Sequence, residues 1–355
     1  MPIPTEPIGS IPRPPALLGA MREFAAGRLS QAKLDALFDE AVRDTIKRLE
    51  ATGSPVITDG EQSKPSFVTY PIHGMKTLAP SGVTIVFADG HTRQLPSLTG
   101  GPFRYTTYAD QYLTAAKRHA KVPVKQAVIS TSALSLLYPQ NELNGYTRSA
   151  FVEDLIRESE TDIRRCLDKG AHTVQIDFTE GRLAVKLDPS KQLLKSFIAL
   201  NNRVLDRFSP QERRRIGVHT CPGGDRDSTH SADVDYAEFL PDLFRLNAGN
   251  FYIQLASERD RPKVLKIIQE HLGADQRVFV GVTDPISSRV ETTEEVRDRV
   301  LEAAEYIPVR QLGTTDDCGF APFADDTSTA REIAFEKIRA RVAGTSLASN
   351  ALRVS

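Results

Sequence analysis

Short β-rich runs alternate with longer helical patterns along almost the whole chain, and this alternation limits the fold more than any other feature. The β-rich runs number eight, at residues 5–9, 55–58, 124–130, 173–177, 215–219, 251–256, 277–282 and 309–312. Helical patterns of apolar residues fall between them, including one at 234–246, and a last one follows at 328–342. This strict alternation predicts an α/β fold, a (β/α)8 TIM barrel forming one domain over residues 1–355, rather than an open doubly wound sheet.

One long insertion interrupts the alternation after the second run. It covers residues 62 to about 107, where two β-rich segments, 83–87 and 92–95, flank the dipeptide Asp89-Gly90. This pattern is typical of a β-hairpin with an Asp-Gly turn. Because the insertion follows the carboxyl end of a strand, the hairpin is expected to form a lid or wall over a site, although a plain surface hairpin fits the pattern as well.

The charge balance argues against a nucleic-acid partner. The chain of 355 residues has 45 basic and 46 acidic residues and no basic block. No apolar run approaches the roughly 18 residues that a membrane span requires, and the first residues lack the pattern of a signal peptide. We therefore expect a cytoplasmic protein with small-molecule partners and no membrane partner; the sequence does not specify an oligomeric state.

The cysteines are too few and too scattered for a disulfide framework. They are Cys166, Cys221 and Cys318. Cys166 falls within a helical pattern, so it is expected to be a core thiol. The other two follow the fifth and eighth β-rich runs, which places both on the same rim of the predicted barrel.

His219 and Cys221 lie two residues apart at the point where the fifth β-rich run ends. Side chains at positions i and i+2 of an extended segment point to the same side, so both can reach one ion. Together with Cys318 they form a soft set of one imidazole and two thiolates, which suits Zn2+ with one coordination position left open, as in catalytic sites. From spacing alone, a chance His-x-Cys pair is an equally good interpretation.

Further polar residues follow other β-rich runs on the same rim. They are Ser10, Glu61, Asp177 and Asp284, and active sites of this fold lie at the carboxyl ends of the strands. Carboxylates such as Glu61 and Asp177 can pair with an ammonium group of a substrate. For Glu61, a helix cap or an ion pair with an arginine is the alternative interpretation.

Five short motifs, in order along the chain, resemble those of the cobalamin-independent methionine synthase family, specifically its catalytic C-terminal barrel. They are Ile8-Gly9-Ser10, Asp59-Gly60-Glu61, Ile176-Asp177, His219-Thr220-Cys221 and Asp317-Cys318-Gly319. The resemblance implies a zinc-dependent transferase that moves a methyl or alkyl group from a small-molecule donor to a small-molecule thiol. It also implies that His219, Cys221 and Cys318 bind the zinc, that Ser10, Glu61 and Asp177 hold a homocysteine-like substrate, and that Glu61 and Asp284 are catalytic.

The chain departs from the family pattern at several positions. Where the family has a zinc-ligand Glu after strand six, this chain has Gln254-Leu255, so Glu258 is the candidate fourth ligand. Ile286 occupies the position of the family's catalytic His, and the chain has no Trp. These departures keep two alternatives open: addition of a zinc thiolate to an epoxide or another non-folate electrophile, as in epoxyalkane:coenzyme M transferase, and a zinc-binding homologue without catalysis.

Two histidines on loops, His73 and His230, are candidates for a substitute acid. A solvated loop histidine is the alternative interpretation of each.

Overall fold

A parallel sheet of six strands forms most of the barrel in the computed structural model, which describes residues 2–226, 228–229 and 234–354. With the barrel strands numbered along the chain, the spatial order in this sheet is eight, seven, six, five, four, three. Strands three to eight are Gln126–Ile129, Val174–Asp177, Ile216–Thr220, Asn250–Ile253, Arg277–Thr283 and Leu312–Asp316.

Two short extended segments close the sheet into a barrel. Thr5, in strand one, pairs with Thr314 of strand eight, and Ile57, in strand two, pairs with Val124 beside strand three. The first two strands join each other where the N–H of Ile11 donates to the carbonyl of Gly60 at 3.0 Å. Prolines at positions 4, 7 and 55 lack an N–H donor, which limits both segments to a few ladder bonds. The predicted (β/α)8 barrel is confirmed.

Helices surround the barrel and cover its apolar outer surface. The α-helices are Pro15–Ala25, Gln31–Ala51, Asp110–Lys117, Thr131–Ser135, Arg148–Asp168, Glu180–Leu187, Gln192–Leu205, Pro210–Arg213, Leu240–Leu243, Arg261–His271, Thr293–Tyr306 and Arg331–Ala351, with 3-10 turns at Tyr70–Ile72, Tyr236–Glu238 and Val309–Gln311. Inside the barrel, Ile8, Tyr252 and Phe279 form a separate apolar cluster. Among the described residues, no helix combines the length and the apolar character needed to cross a membrane.

The prediction of one continuous helix at 234–246 is wrong. The segment instead contains the 3-10 turn Tyr236–Glu238 followed by the four-residue helix Leu240–Leu243. Pro241 explains the break, because proline has no N–H to donate and is tolerated only in the first turn of a helix.

The eighth strand and the last helix were also misplaced. Residues 309–311 form a 3-10 turn, and the strand is Leu312–Asp316, whose polar end Thr314-Thr315-Asp316 is buried. The final helix continues to Ala351, nine residues beyond the predicted end at 342. On this extension, Thr345 contacts Thr314 Oγ1 of strand eight at 2.8 Å, and Ser349 accepts at 3.0 Å from the N–H of Ile3, just before strand one.

The predicted hairpin is present in the insertion after strand two. Thr84–Val86 pairs antiparallel with Thr92–Gln94, and Gly90 in the turn has a φ of 90°, a conformation that glycine adopts readily. A second short pair, Leu78–Ala79 with Ser97–Leu98, joins the hairpin base. The hairpin contributes Ile85, Phe87 and Leu95 to a cavity at the carboxyl ends of the barrel strands.

Candidate metal centre and substrate cleft

His219 is positioned by strand five and has one ring nitrogen without a partner. The side chain is 2% exposed, and Nδ1 lies 3.3 Å from the carbonyl oxygen of Tyr252 on strand six. This contact assigns the ring proton to Nδ1. The other nitrogen, Nε2, is buried and has no hydrogen-bond partner among the described residues. An imidazole fixed through one nitrogen and unpaired at the other is the arrangement that a metal-ligating histidine adopts.

Cys221 and Cys318 bring two sulfur atoms to the same place. Their Sγ atoms are 3.0 Å apart, and both cysteines are free thiols. The Cys318 thiol donates to the Cys221 sulfur, which lowers the pKa of Cys221 well below its usual value and raises the pKa of Cys318. The ligand atoms of His219, Cys221 and Cys318 all lie within 4.8 Å of one another. This compact, soft donor set fits a zinc ion.

Asp317 holds the loop after strand six against the two cysteines. Its carboxylate accepts hydrogen bonds from the backbone N–H groups of Leu255, Ala256 and Ser257, each at 2.8 Å, and from the Ser257 hydroxyl at 2.7 Å. Burial raises the pKa of Asp317 to about 7, although these donors lower it. The sequence reasoning missed this positioning role, for which the Asp317-Cys318-Gly319 motif was the available signal.

Glu258, the candidate fourth ligand, does not join the described cluster of ligand atoms. Its Oε1 lies 3.4 Å from Nη1 of Arg182 and 3.3 Å from Nε2 of Gln254. The three predicted ligands therefore come together, whereas Glu258 is paired elsewhere.

The metal cluster, by which we mean the three predicted ligands His219, Cys221 and Cys318, borders a cleft that is also lined by the predicted substrate-binding residues. The cleft has an empty volume of about 840 Å³, including the part open to solvent, and is lined by Ser10, Glu61 and Asp177 as well as by His219, Cys221 and Cys318. A cleft of this size is typical of small-molecule sites. Six residues predicted from five strand ends thus line one space.

Glu61 is held by a buried ion pair. Its Oε1 is 2.9 Å from Nζ of Lys64, and both side chains are at most 5% exposed. Burial alone would lower the pKa of Lys64, but the carboxylates of Glu61 and Asp59 raise it, so the ammonium stays charged. The helix-cap and arginine alternatives for Glu61 do not describe this arrangement, because its partner is a lysine.

Ser10 and Asp177 line the cleft near the metal cluster. The Ser10 oxygen accepts a hydrogen bond from the N–H of Ala321 at 3.2 Å, which leaves its hydroxyl proton available. Asp177 accepts from Nε2 of Gln175 at 2.7 Å. Burial raises the pKa of Asp177 to about 6, while the nearby His219 lowers it.

Asp284, the other predicted catalytic residue, lines a different cavity. This second space, of about 440 Å³, shares Cys318 and Gly319 with the first and also contains Ile286. Asp284 accepts from the N–H of Ile286 at 3.0 Å, a contact that shapes the loop after strand seven. The structure thus separates Asp284 from Glu61.

Of the two histidines considered as substitute acids, the structure describes only His73. His73 is exposed and does not line the cleft. His230 lies outside the described residues.

Glu180 is a cleft residue that the sequence reasoning missed. It is 6% exposed, lies at the start of the helix Glu180–Leu187, and lines the same cleft as the metal cluster. Its Oε1 accepts hydrogen bonds from the hydroxyls of Ser130 and Ser132. Burial raises the pKa of Glu180 to about 7, whereas the two hydroxyls lower it. No local motif marks Glu180, because its partners are about 50 positions away in the chain.

Barrel and site together define a family. The family described as cobalamin-independent synthase, catalytic domain, matches residues 3–333. The chain belongs to this family, and the family prediction made from its five motifs is confirmed.

Particular relatives agree in length and fold. The methionine synthase of Saccharolobus solfataricus is 24% identical over 353 residues, which cover 99% of this chain and 96% of the relative. The methionine synthase of Sulfurisphaera tokodaii is 23% identical over 353 residues, with 99% and 94% covered. A solved B12-independent methionine synthase from Shewanella sp. W3-18-1, in complex with selenomethionine, is similar in fold, with a TM-score of 0.77 at 18% identity and full coverage of both chains.

Proposed function

We propose that this protein transfers a methyl group from a small donor to the thiol of a homocysteine-like amino acid, with zinc held by His219, Cys221 and Cys318. The observation that carries the proposal is that these ligand atoms lie within 4.8 Å of one another and border the same cleft as Ser10, Glu61 and Asp177. Membership of the family and the names of its full-length relatives support the same reaction.

A bound zinc ion would lower the pKa of a thiol substrate, so that its sulfur is a nucleophile near neutral pH. The protein residues would provide the rest of the binding energy. The carboxylates of Glu61 and Asp177 would receive the substrate ammonium group in a buried setting, and the free hydroxyl proton of Ser10 would be donated to the substrate carboxylate.

The openness of the site supports an enzyme over a purely structural zinc protein. A structural zinc site is closed by four protein ligands, whereas a catalytic site keeps one position for a water or a substrate. Here the described cluster has three ligands and faces a cleft of about 840 Å³. The non-catalytic alternative is therefore the weaker one.

Asp284 is proposed to act indirectly. Because it borders the second cavity and holds the N–H of Ile286 at 3.0 Å, its role would be to shape the wall beside Cys318 and Gly319. A direct catalytic role for Asp284 stays a prediction.

The test combines metal analysis with a thiol-methylation assay. Wild type should hold about one zinc per chain, and Cys221→Ser should lose both the metal and the transfer of a methyl group to homocysteine. Cys166→Ala is the matched control, since Cys166 is buried in the helix Arg148–Asp168 and should keep both properties. Full activity of the metal-free protein would contradict the proposal. A product formed only from an epoxide and coenzyme M would favour the epoxide alternative.

A further inference from the structure

We propose that the methyl donor is a small methylated onium cation, a sulfonium or a quaternary ammonium, which binds in the cleft between Glu180 and the aromatic wall. This inference rests on the proposed function and specifies the second substrate of the same site. It begins with Glu180, which lines the cleft and whose hydrogen-bond network leaves one buried carboxylate oxygen without a partner in the part of the chain that the structure describes.

The network fixes Glu180 as a hydrogen-bond acceptor. The Ser130 oxygen accepts from the N–H of Ala133 at 3.1 Å, and the Ser132 oxygen accepts from Nδ2 of Asn201 at 2.7 Å. The Asn201 amide is oriented in turn, because its Oδ1 accepts from the N–H of Thr131 at 3.1 Å. Both serine hydroxyl protons are therefore directed to Oε1 of Glu180. Two O–H donors to one oxygen favour the charged carboxylate.

The other oxygen of Glu180, Oε2, has no hydrogen-bond partner and no cationic partner among the described residues. Oε2 is buried and accepts no hydrogen bond from another described residue, and no ion pair joins Glu180 to a lysine, arginine or histidine in the described ranges. A buried carboxylate without a counter-charge is costly unless a ligand supplies one. Glu180 differs in this respect from Glu61, which is already paired with Lys64.

The rest of the cleft lining also favours a positively charged ligand. The described lining includes the carboxylates of Glu61, Asp177 and Glu180, and no lysine or arginine side chain. The stretch 227–233, only partly described, contains no lysine or arginine in its sequence either. The ammonium group of an amino-acid thiol would be met by Glu61 and Asp177, which leaves Glu180 for a second cation. A polyanionic donor would be repelled by the carboxylates of Asp177 and Glu180, because no lysine or arginine side chain in the described lining offsets their charge.

The wall around this space suits methyl-bearing cations rather than a bare ammonium group. It includes the rings of Phe67, Phe87 and Phe323, with Phe67 and Phe323 packed edge to face at 5.5 Å. Leu183, one turn after Glu180 on the same helix, and Leu136 add aliphatic surface. Aromatic faces attract methylated cations, which cannot donate the N–H hydrogen bonds that an ammonium group requires.

The chemistry of an onium donor fits this environment. The thiolate sulfur attacks a methyl carbon, an S–C bond forms, and the bond from that carbon to the positive sulfur or nitrogen breaks. Its electron pair stays on the leaving atom, which departs as a neutral sulfide or tertiary amine and takes up no proton. Opposite charges disappear in this step, so an apolar cleft favours the transition state over the charged reactants.

The first test is a donor panel with the zinc-loaded wild-type protein and homocysteine. S-methyl-L-methionine and trimethylsulfonium represent sulfonium donors, and glycine betaine represents quaternary ammonium donors. The comparison donors are 5-methyltetrahydrofolate, its triglutamate and methylcobalamin. We expect at least one onium donor to give a kcat/KM about tenfold or more above all three comparison donors. Higher turnover with a comparison donor would overturn the inference and leave thiol methyl transfer intact, whereas no methylation from any donor would overturn the proposed function itself.

A binding experiment locates the cation without relying on turnover. Tetramethylammonium, which resembles the onium head group, should bind by calorimetry to wild type and to the metal-free variant Cys221→Ser. Glu180→Gln should weaken this binding by about tenfold or more, because it removes the charge but keeps the shape. Glu238→Gln is the control, since Glu238 is exposed and lies outside the cleft lining. Equal binding by wild type and Glu180→Gln would overturn the assignment of Glu180.

Discussion

Gly60 and Glu61 place two successive residues in the left-handed region of backbone space, with φ values of 65° and 55°. This turn brings the Glu61 carboxylate into the cleft. Arg13 holds it by donating to three backbone carbonyls, those of Glu61 at 2.6 Å, Gln62 at 3.1 Å and Lys64 at 2.7 Å. A non-glycine residue accepts such a conformation only where its surroundings enforce it.

Gly60→Ala should destabilise the protein and disturb Glu61. A Cβ atom at position 60 would lie 2.5 Å from Cγ2 of Thr45, in addition to the strain of a positive φ. We expect the free energy of unfolding to fall by about 2–4 kcal/mol in urea denaturation. Gly27→Ala is the matched control, because Gly27 has a φ of 73° and no heavy atom within 4 Å of the added Cβ. Equal losses in the two variants would show that the contact with Thr45 contributes nothing.

Glu180 should make stability depend on pH. Burial raises its pKa from 4.5 to about 7 in the folded protein. Protonation of this carboxyl group therefore stabilises the folded state relative to the unfolded state. This contribution is fully present below the unfolded pKa and is lost as the pH rises through about 7. Glu180→Gln does not titrate, so its stability relative to wild type should increase by about 3 kcal/mol from roughly pH 4.5 to roughly pH 7.5.

The measurement is urea denaturation of both proteins across this pH range. Glu238→Gln, at an exposed position, should show no such trend relative to wild type. A difference between Glu180→Gln and wild type that stays constant with pH would contradict the raised pKa.

At the residue scale, the sequence predicts side chains whose neighbours along the chain reveal their place. His219 lies near the end of strand five, and Cys221 and Cys318 follow strands five and eight, which must end on one rim of a recognisable barrel. Glu180 could not be predicted in this way, because its role depends on Ser130, Ser132 and a cleft that exists only in the folded state. The pairing of Glu258 with Arg182 is equally invisible in the sequence.

At the scale of elements, the hairpin forms part of the cleft wall and is attached to the loop that follows Cys221. Arg93 on its second strand donates from Nε to Oδ2 of Asp225 at 2.6 Å, and the Asp225 side chain is fully buried. Asp225 follows Cys221 by four positions. A second contact joins Arg93 to Asp325 at 2.9 Å. The hairpin is therefore anchored at the same loop that carries a predicted zinc ligand.

Arg93→Met should loosen the hairpin while leaving the barrel folded. The substitution leaves the buried Asp225 with His91 as its remaining described ion-pair partner, at 3.0 Å. We expect faster hydrogen exchange across residues 84–94 and a KM for the methyl donor raised by about tenfold. Arg297→Met, at an exposed pair with Asp298, should change neither quantity. Unchanged exchange in the hairpin would refute the anchoring role.

Element boundaries were predicted well where turn chemistry is local and poorly where it is not. Ser30 and Thr292 are of residue types that commonly cap helices, and each accepts a hydrogen bond from the backbone N–H three residues later. Strand eight was placed too early because its polar residues 314–316 look like a loop. In the folded chain they are buried, and Thr314 and Asp316 contact Thr345 and Arg341 of the last helix, which the local sequence does not reveal.

At the scale of the whole molecule, one buried ion pair stabilises the barrel seam, the place where strand one meets strand eight. Nε of Arg341, in the last helix, lies 3.0 Å from Oδ1 of Asp316 at the end of strand eight, and neither side chain is more than 1% exposed. The same guanidinium donates to the Thr5 hydroxyl of strand one at 2.5 Å. One side chain therefore joins the last helix, the last strand and the first strand.

Arg341→Met should cost about 3–5 kcal/mol of stability, since it leaves a charged carboxylate buried without its partner. Urea denaturation measures this loss. The double variant Arg341→Met, Asp316→Asn should recover part of it, because the unpaired charge is removed as well. A double variant with a loss equal to the sum of the two single losses would show that the pair is not coupled.

The seam also sets an order of events during protein synthesis. Strand one is made before the other seven strands, yet one of its two neighbours in the described barrel is strand eight, more than 300 positions later. Domains being synthesised fold from contacts already available, so strand one can join strand two early, whereas its contact with strand eight must wait until strands three to seven have been made. Cys318 emerges directly after strand eight. The barrel can therefore close, and the three predicted ligands His219, Cys221 and Cys318 can meet around one metal ion, only after strand eight has been made.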